Sequence, residues 1–326
     1  MAAGTRDVHH SAARPETGQG RHSARRRLLG GTAIVLLAAL AAYLLARREE
    51  LADIRRLSAA VLLVTLGLQF LAQLLWNTAM LLPLRVYMKL GFWELFAIRT
   101  GGFLAGAAIP VAGNLGVRLA YLRRRGLAYP DFTWATIVSN ALSLSAAAVL
   151  ACLAAGAIWA MTGTLSAPAA GLTAAVLTLG VGAMGAIRWL PRVSGHSRLE
   201  GWTLLSGMRR GRVSARTANG ILAASFGRHA FSFLAFALLY NSLSTGPGHF
   251  LTGGLVYAIT SPIRIVAITP ANVGVIEWAV AGVGKLLAFE VTTGLLVALV
   301  FRGTSIVAQV LGVAVAGAWI GIRGEG

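Results

Sequence analysis

Long stretches without a single charged residue constrain this chain more than any motif does. Ser58 to Leu82 and Thr133 to Met161 carry none, and each exceeds the ~20 apolar residues that cross a hydrocarbon layer of ~30 Å. Further apolar segments run over Leu28 to Ala46, Pro168 to Leu190, Asn219 to Tyr240 and Thr293 to Ile320. In lipid the backbone must satisfy its own hydrogen bonds, so segments of this kind become helices. Only 12% of the residues are charged, about half the share found in soluble domains. That excludes a soluble enzyme or a DNA-binding domain. The expected fold is an all-α polytopic membrane protein of about 6–8 transmembrane helices.

The formal net charge is +18, from 29 basic and 11 acidic residues. A soluble chain with this imbalance would point to nucleic acid; in a membrane chain the excess marks loops held at the cytoplasmic face. No nucleic-acid partner is therefore expected. The loops 161–167 and 241–248 are uncharged, whereas Arg188 to Arg216 carries seven arginines and one glutamate. This asymmetry puts the neutral loops outside. It puts the arginine-rich loop 191–216, Arg118 to Arg125, Arg85, Lys89 and Arg323 in the cytoplasm. Arg47 to Arg56 mixes both signs and falls outside by the count of crossings. Residues 1–27, rich in Arg, His, Ser and Gly, are expected to form a disordered basic cytoplasmic tail. Residues 28–326 then make a single membrane domain with both termini in the cytoplasm. The lone Cys152 excludes a disulfide within one chain.

Two segments, near Phe92 to Ile109 and Phe250 to Phe289, are interrupted by Gly, Pro and Asn. The first break reads Ile109-Pro110-Val111-Ala112-Gly113-Asn114-Leu115-Gly116-Val117, the second Thr269-Pro270-Ala271-Asn272-Val273-Gly274-Val275. A further glycine follows ten residues later in each, Gly126 and Gly284. From Asn114 to Asn272 the offset is 158 residues. Applied along the chain, it relates about 58–161 to 216–320, each half a span, a broken or re-entrant segment and a second span. One linking span, 168–190, separates the halves and reverses the sense in which the second enters the bilayer. The expectation is an inverted repeat whose broken segments meet near the midplane, lining a cavity. In the linking span, Ala174, Thr178, Gly182 and Ala186 recur at every fourth position, which predicts a helix-packing face.

Arg228, His229, Arg264, Glu277 and Arg302 fall within these segments. A charge at mid-bilayer costs roughly 2.5 to 3.5 kcal/mol and faces a partner or a wet cavity. Glu277, the one acid, is expected to pair with Arg302 or Arg264. The remaining positive charge suits an anionic group such as a lipid phosphate. Candidate substrate-binding residues are thus Asn114, Arg228, Arg264, Asn272, Gly274, Glu277 and Arg302, with the helix after Asn272 turning its positive N-terminus inward. Arg99, Lys285 and Glu290 lie near segment ends and are expected at the interface. The chain holds no His-Glu-x-x-His, no Gly-x-Ser-Gly and no nucleotide-binding glycine loop. No enzymatic activity, cofactor or metal is expected.

The chain resembles the membrane domain of lysylphosphatidylglycerol synthases and their flippase-like relatives. The resemblance lies in Pro110 to Gly126, including Leu119-Ala120-Tyr121-Leu122-Arg123-Arg124-Arg125, and in Gly274-Val275-Ile276-Glu277. Arg302 stands where that family tends to carry an arginine in its last span. Val117 stands where the family usually has an acidic residue, and Ser139-Asn140 where it often has an acidic-arginine pair. No soluble aminoacyl-transferring domain is expected after Arg323. The resemblance implies a translocase-like protein of a bacterial plasma membrane that moves an anionic phospholipid or polyprenyl-phosphate-linked glycolipid between leaflets. The alternative is a non-transporting scaffold for a glycosyltransferase or lipid-modifying enzyme, docked through Arg192 to Arg216. Either protein could associate with a membrane enzyme or with copies of itself.

Overall fold

The computed structural model describes residues 57–108, 112–193, 213–244, 249–265 and 274–324, with positions 42, 43, 45, 46, 54, 207, 211 and 272. The tail 1–27, most of the span Leu28 to Ala46 and most of the loop 191–216 lie outside the described residues. Among the described residues all regular structure is helical.

Ser58 opens α1 (Ala59–Leu84), its hydroxyl accepting from the Val61 N–H at 3.2 Å. An interrupted segment follows as α2 (Phe92–Ala108) and α3 (Ala112–Arg124). α4 (Tyr129–Thr162) has Pro130 in its first turn and stops at Gly163, whose φ of 70° favours glycine. After α5 (Ala167–Val193), Ser214 caps α6 (Ala215–Leu243) by accepting from the Thr217 N–H at 3.1 Å. The second interrupted segment is α7 (His249–Thr260), a 3-10 turn (Ser261–Ile265) and α8 (Val275–Leu286); α9 (Val291–Gly324) completes the fold. Five of these helices, α1, α4, α5, α6 and α9, are long and apolar enough to cross a membrane. Their positions match the apolar runs of the sequence to within a few residues.

The order long helix, two-part segment, long helix occurs twice. α1 and α6, the leading helices, pack most extensively on each other at the centre. The closing helices cross over: α4 packs on α6 and α7, and α9 packs on α1 and α2. Close approach is built in at several of these seams. A Cβ on Gly254 in α7 would lie 2.2 Å from the Phe233 ring of α6, so no larger residue fits that contact. α5 stands at the periphery, resting mainly on α4. The small-residue face expected there is corrected by the structure, since Ala174, Thr178, Gly182 and Ala186 are exposed. The buried face is Ala169, Thr173, Val176 and Gly180. Close packing selects it: Gly180 sits where a Cβ would fall 2.6 Å from that of Ala148, and its carbonyl accepts from Ser145 Oγ at 2.9 Å.

Both interrupted segments are helical hairpins whose two ends lie side by side. At the base of the first, Tyr121 donates to Glu94 Oε1 at 2.6 Å and Arg125 pairs with the same carboxylate. At the base of the second, the rings of His249 and Phe289 meet edge-on at 5.1 Å. Residues 109–111, 266–271 and 273, at the breaks, lie outside the described residues.

Candidate functional site: an arginine-lined cavity between the hairpins

One cavity of about 330 Å³ opens between α1, α4, α6, α9 and the two hairpins. Each of the four long helices contributes residues from the middle of its length: Gln69 and Gln73 from α1, Ser143 from α4, Arg228 and His229 from α6, Arg302 and Ser305 from α9. A helix that spans the bilayer carries its central residues at mid-depth, so the cavity lies near the middle of the membrane.

Arg118, Arg228, Arg264 and Arg302 line it, and Arg99 is buried just beside them. Among the described residues lining the cavity there is no carboxylate. Local contacts temper these charges one by one. Arg99 donates to the Gln73 carbonyl at 3.3 Å and to Gln73 Oε1 at 2.9 Å. Arg99 and Arg228 share the Trp76 ring, each guanidinium carbon 4.3 Å from its centroid, contacts worth ~2 kcal/mol when shielded from water. Arg228 also donates to Ser143 Oγ at 3.4 Å, and Arg118 reaches Met80 Sδ at 3.7 Å. His229 bridges Ser143 at 2.9 Å and Tyr257 at 3.0 Å, tying α4, α6 and α7 together behind Arg228.

Arg302 has an ionic partner in Glu277. Its Nε lies 2.5 Å from Glu277 Oε1, and it also donates to the Asn272 carbonyl at 3.1 Å. The other oxygen of Glu277 accepts from the Gly274 N–H at 2.7 Å. Glu277 is fully buried and Asn272 nearly so. Asn272 and Gly274 hold left-handed backbone, at φ 53° and 82°, conformations tolerated by asparagine and glycine. The pairing expected for Glu277 is therefore made with Arg302. Glu277 thus accepts from the residue that precedes α8 and sets a negative charge in the first turn of that helix. Neither Gly274 nor Glu277 lines the cavity; they stand behind its wall and fix Arg302.

Arg264 has no such arrangement. It lies over the Tyr257 and Phe301 rings, at 5.6 and 5.0 Å, with its Nε buried and without a hydrogen-bond partner. Of the remaining expected site residues, Arg228 and Asn272 line the cavity, and the side chain of Asn114 lies outside the described residues.

A family model, described as the lysylphosphatidylglycerol synthase TM region, matches residues 27–312. The chain belongs to that family. No curated protein matches the chain, and no solved structure does. The part matched to the lysylphosphatidylglycerol synthase TM region includes every residue named around the cavity. Where family resemblance leads one to expect an acidic residue after the first break, Val117 is exposed, at 42%. Asn140, in place of a charged residue, lines the cavity.

Arg99, Arg118 and Trp76, at or beside the cavity, are not among the site residues expected from the sequence. Arg99, assigned to the interface, is 3% exposed, and Arg118, assigned to the cytoplasmic side, is 7% exposed. Trp76, which joins two of the arginines, carried no signal of its own. Arg118 follows Asn114 by one helical turn, a spacing that puts both on one face of α3. That is the clue by which it was legible. Arg99 had none, because a hairpin returns both of its ends to one edge and carries its middle to depth.

Proposed function

We propose that the cavity is the headgroup site of a flippase-like protein that moves an anionic lipid or lipid-linked phosphate between leaflets. One observation carries this reading: five guanidiniums gather at mid-depth around one cavity, and among the described residues that line it there is no carboxylate. Guanidinium forks fit phosphate oxygens, and their desolvation is repaid only by a counter-charge. A headgroup bearing its own ammonium is opposed by the same field. The two hairpins, entering from opposite faces in an inverted repeat, would be re-entrant and would meet at this site. The exchanged packing of α4 and α9 on the opposite half is what a two-fold axis in the membrane plane produces. The arginine asymmetry of the loops supports cytoplasmic termini and a plasma-membrane location.

The test is leaflet exchange in reconstituted vesicles with labelled phosphatidylglycerol and phosphatidylcholine. Arg264→Ala removes no ion pair, so the protein is expected to fold. Movement of the anionic lipid should slow about tenfold or more, the equivalent of a hydrogen bond to a charged group, with phosphatidylcholine unaffected. Equal slowing of both lipids would remove the phosphate role and leave a scaffold as the better account.

A further inference from the structure

The arginines around the cavity are seated in two different ways. Arg302 is tied to a carboxylate, whereas Arg99, Arg228 and Arg264 lie over aromatic rings. Trp76 serves two of them, Arg99 from α2 and Arg228 from α6. Trp76 and Arg228 both line the cavity and are only half-buried. The difference in seating matters to a ligand. A carboxylate engages guanidinium N–H groups, the same groups a phosphate uses, so an anion that reaches Arg302 competes with Glu277. A ring attracts the cation through the negative charge of its face and leaves those donors open. Arg228 gives one N–H to Ser143 Oγ, at 3.4 Å, and its other donors have no partner among the described residues.

We propose that Trp76 is the positioning residue of the headgroup site: its ring holds Arg228 in place without a counter-ion, so that Arg228 meets an anion with its donors free. The proposal rests on the headgroup reading above and adds the residue that keeps one guanidinium ready. Trp76 acts through Arg228 and not on the anion itself. Arg99 sets a second cation on the same ring, so the ring's charge is needed as well as its bulk. Two like charges brought together on a purely apolar side chain would repel with nothing to offset them. A carboxylate in the same place would hold Arg228 more strongly, and would have to be displaced each time an anion arrived.

Replacing Trp76 outright also removes its packing on the apolar cluster around Leu84 and Leu95. Charge and bulk are therefore separated by placing tryptophan with one, two or three ring fluorines at position 76 of the full-length protein, since fluorine drains the ring face and adds little volume. Binding of phosphatidylglycerol and phosphatidylcholine from mixed micelles is read by native mass spectrometry. Phosphatidylglycerol should bind more weakly with each fluorine, by about tenfold for the trifluorinated ring, which is most of one shielded cation–π contact. Phosphatidylcholine binding and the thermal unfolding midpoint should not move. Trp76→Phe should keep more of the affinity than Trp76→Leu, and Arg228→Gln should abolish the fluorine dependence. Phosphatidylglycerol binding that ignores fluorine but falls in Trp76→Leu shows that the ring acts by bulk alone; it overturns the proposal and leaves the headgroup reading intact. A fluorine dependence that persists in Arg228→Gln overturns it as well. Equal wild-type binding of the two lipids, with neither responding to Arg264→Ala, removes the headgroup reading and the proposal with it.

Discussion

The two hairpins are built from corresponding elements and are fastened at opposite ends. The second is latched deep in the protein, where Glu277 joins the Gly274 N–H of its own helix to Arg302 of α9. At positions 158 residues earlier, the offset that relates the two breaks in the sequence, stand Leu119 and Leu144, and no ion can be shared there. The first is latched at its base, where Glu94 meets Tyr121 and Arg125 at an exposed edge. A buried ion pair that loses one partner costs ~3 to 5 kcal/mol, whereas exposed pairs are worth ~1 kcal/mol or less. The comparison teaches that a shared architecture does not imply shared stiffness. The deep latch makes the second hairpin a fixed wall that presents Arg302. The first carries Arg99 and Arg118, which meet α1 at Gln73, Trp76 and Met80.

The largest expected effect concerns the sides from which the hairpins enter. Arg124→Cys and Glu290→Cys mark the two bases, and both positions are exposed. In intact cells an impermeant thiol reagent should label the second and spare the first. Labelling of both from one side would show that the halves are not inverted and would dissolve the correspondence on which the comparison stands.

Next comes the deep latch. Glu277→Gln strands Arg302 and should cost ~3 kcal/mol or more of stability, read as loss of folded protein on heating in detergent. The paired change Glu277→Gln with Arg302→Gln should recover part of that loss, since no buried charge is then left alone. Strictly additive losses would show that the two residues act apart and that the second hairpin is fixed by something else.

The smallest effect belongs to the exposed latch. Glu94→Gln should cost less than half as much as Glu277→Gln and should fade with added salt. Burial raises the Glu94 pKa, but hydrogen bonds from Tyr121, Arg125 and the Gly91 N–H outweigh it and hold the carboxyl below its ordinary range. A carboxylate depressed in the folded state stabilises above its unfolded pKa, and the contribution disappears as pH falls through the folded value. The stability difference between wild type and Glu94→Gln should therefore be present at neutral pH and vanish in acid. A difference that persists below pH ~3 would show that the base is not held by this carboxylate.

The helices and their order were legible in the sequence because lipid imposes one rule, an apolar run long enough to cross. The Pro, Gly and Asn of the breaks marked where the hydrogen-bond ladder opens. The partnership of Glu277 with an intramembrane arginine was legible too, since a lone buried acid among arginines must be neutralised by one of them. Choosing Arg302 over Arg264 was a matter of geometry. Tertiary structure alone decided that α5 buries Ala169, Thr173, Val176 and Gly180, and that Gln69 and Gln309 line one cavity. It alone brought Arg99 and Arg118 to Trp76 and Met80. Hydropathy records whether a segment prefers lipid to water, a sum over its residues. Which side chains share a cavity depends on how hairpins fold back and helices cross, and neither leaves a trace in that sum.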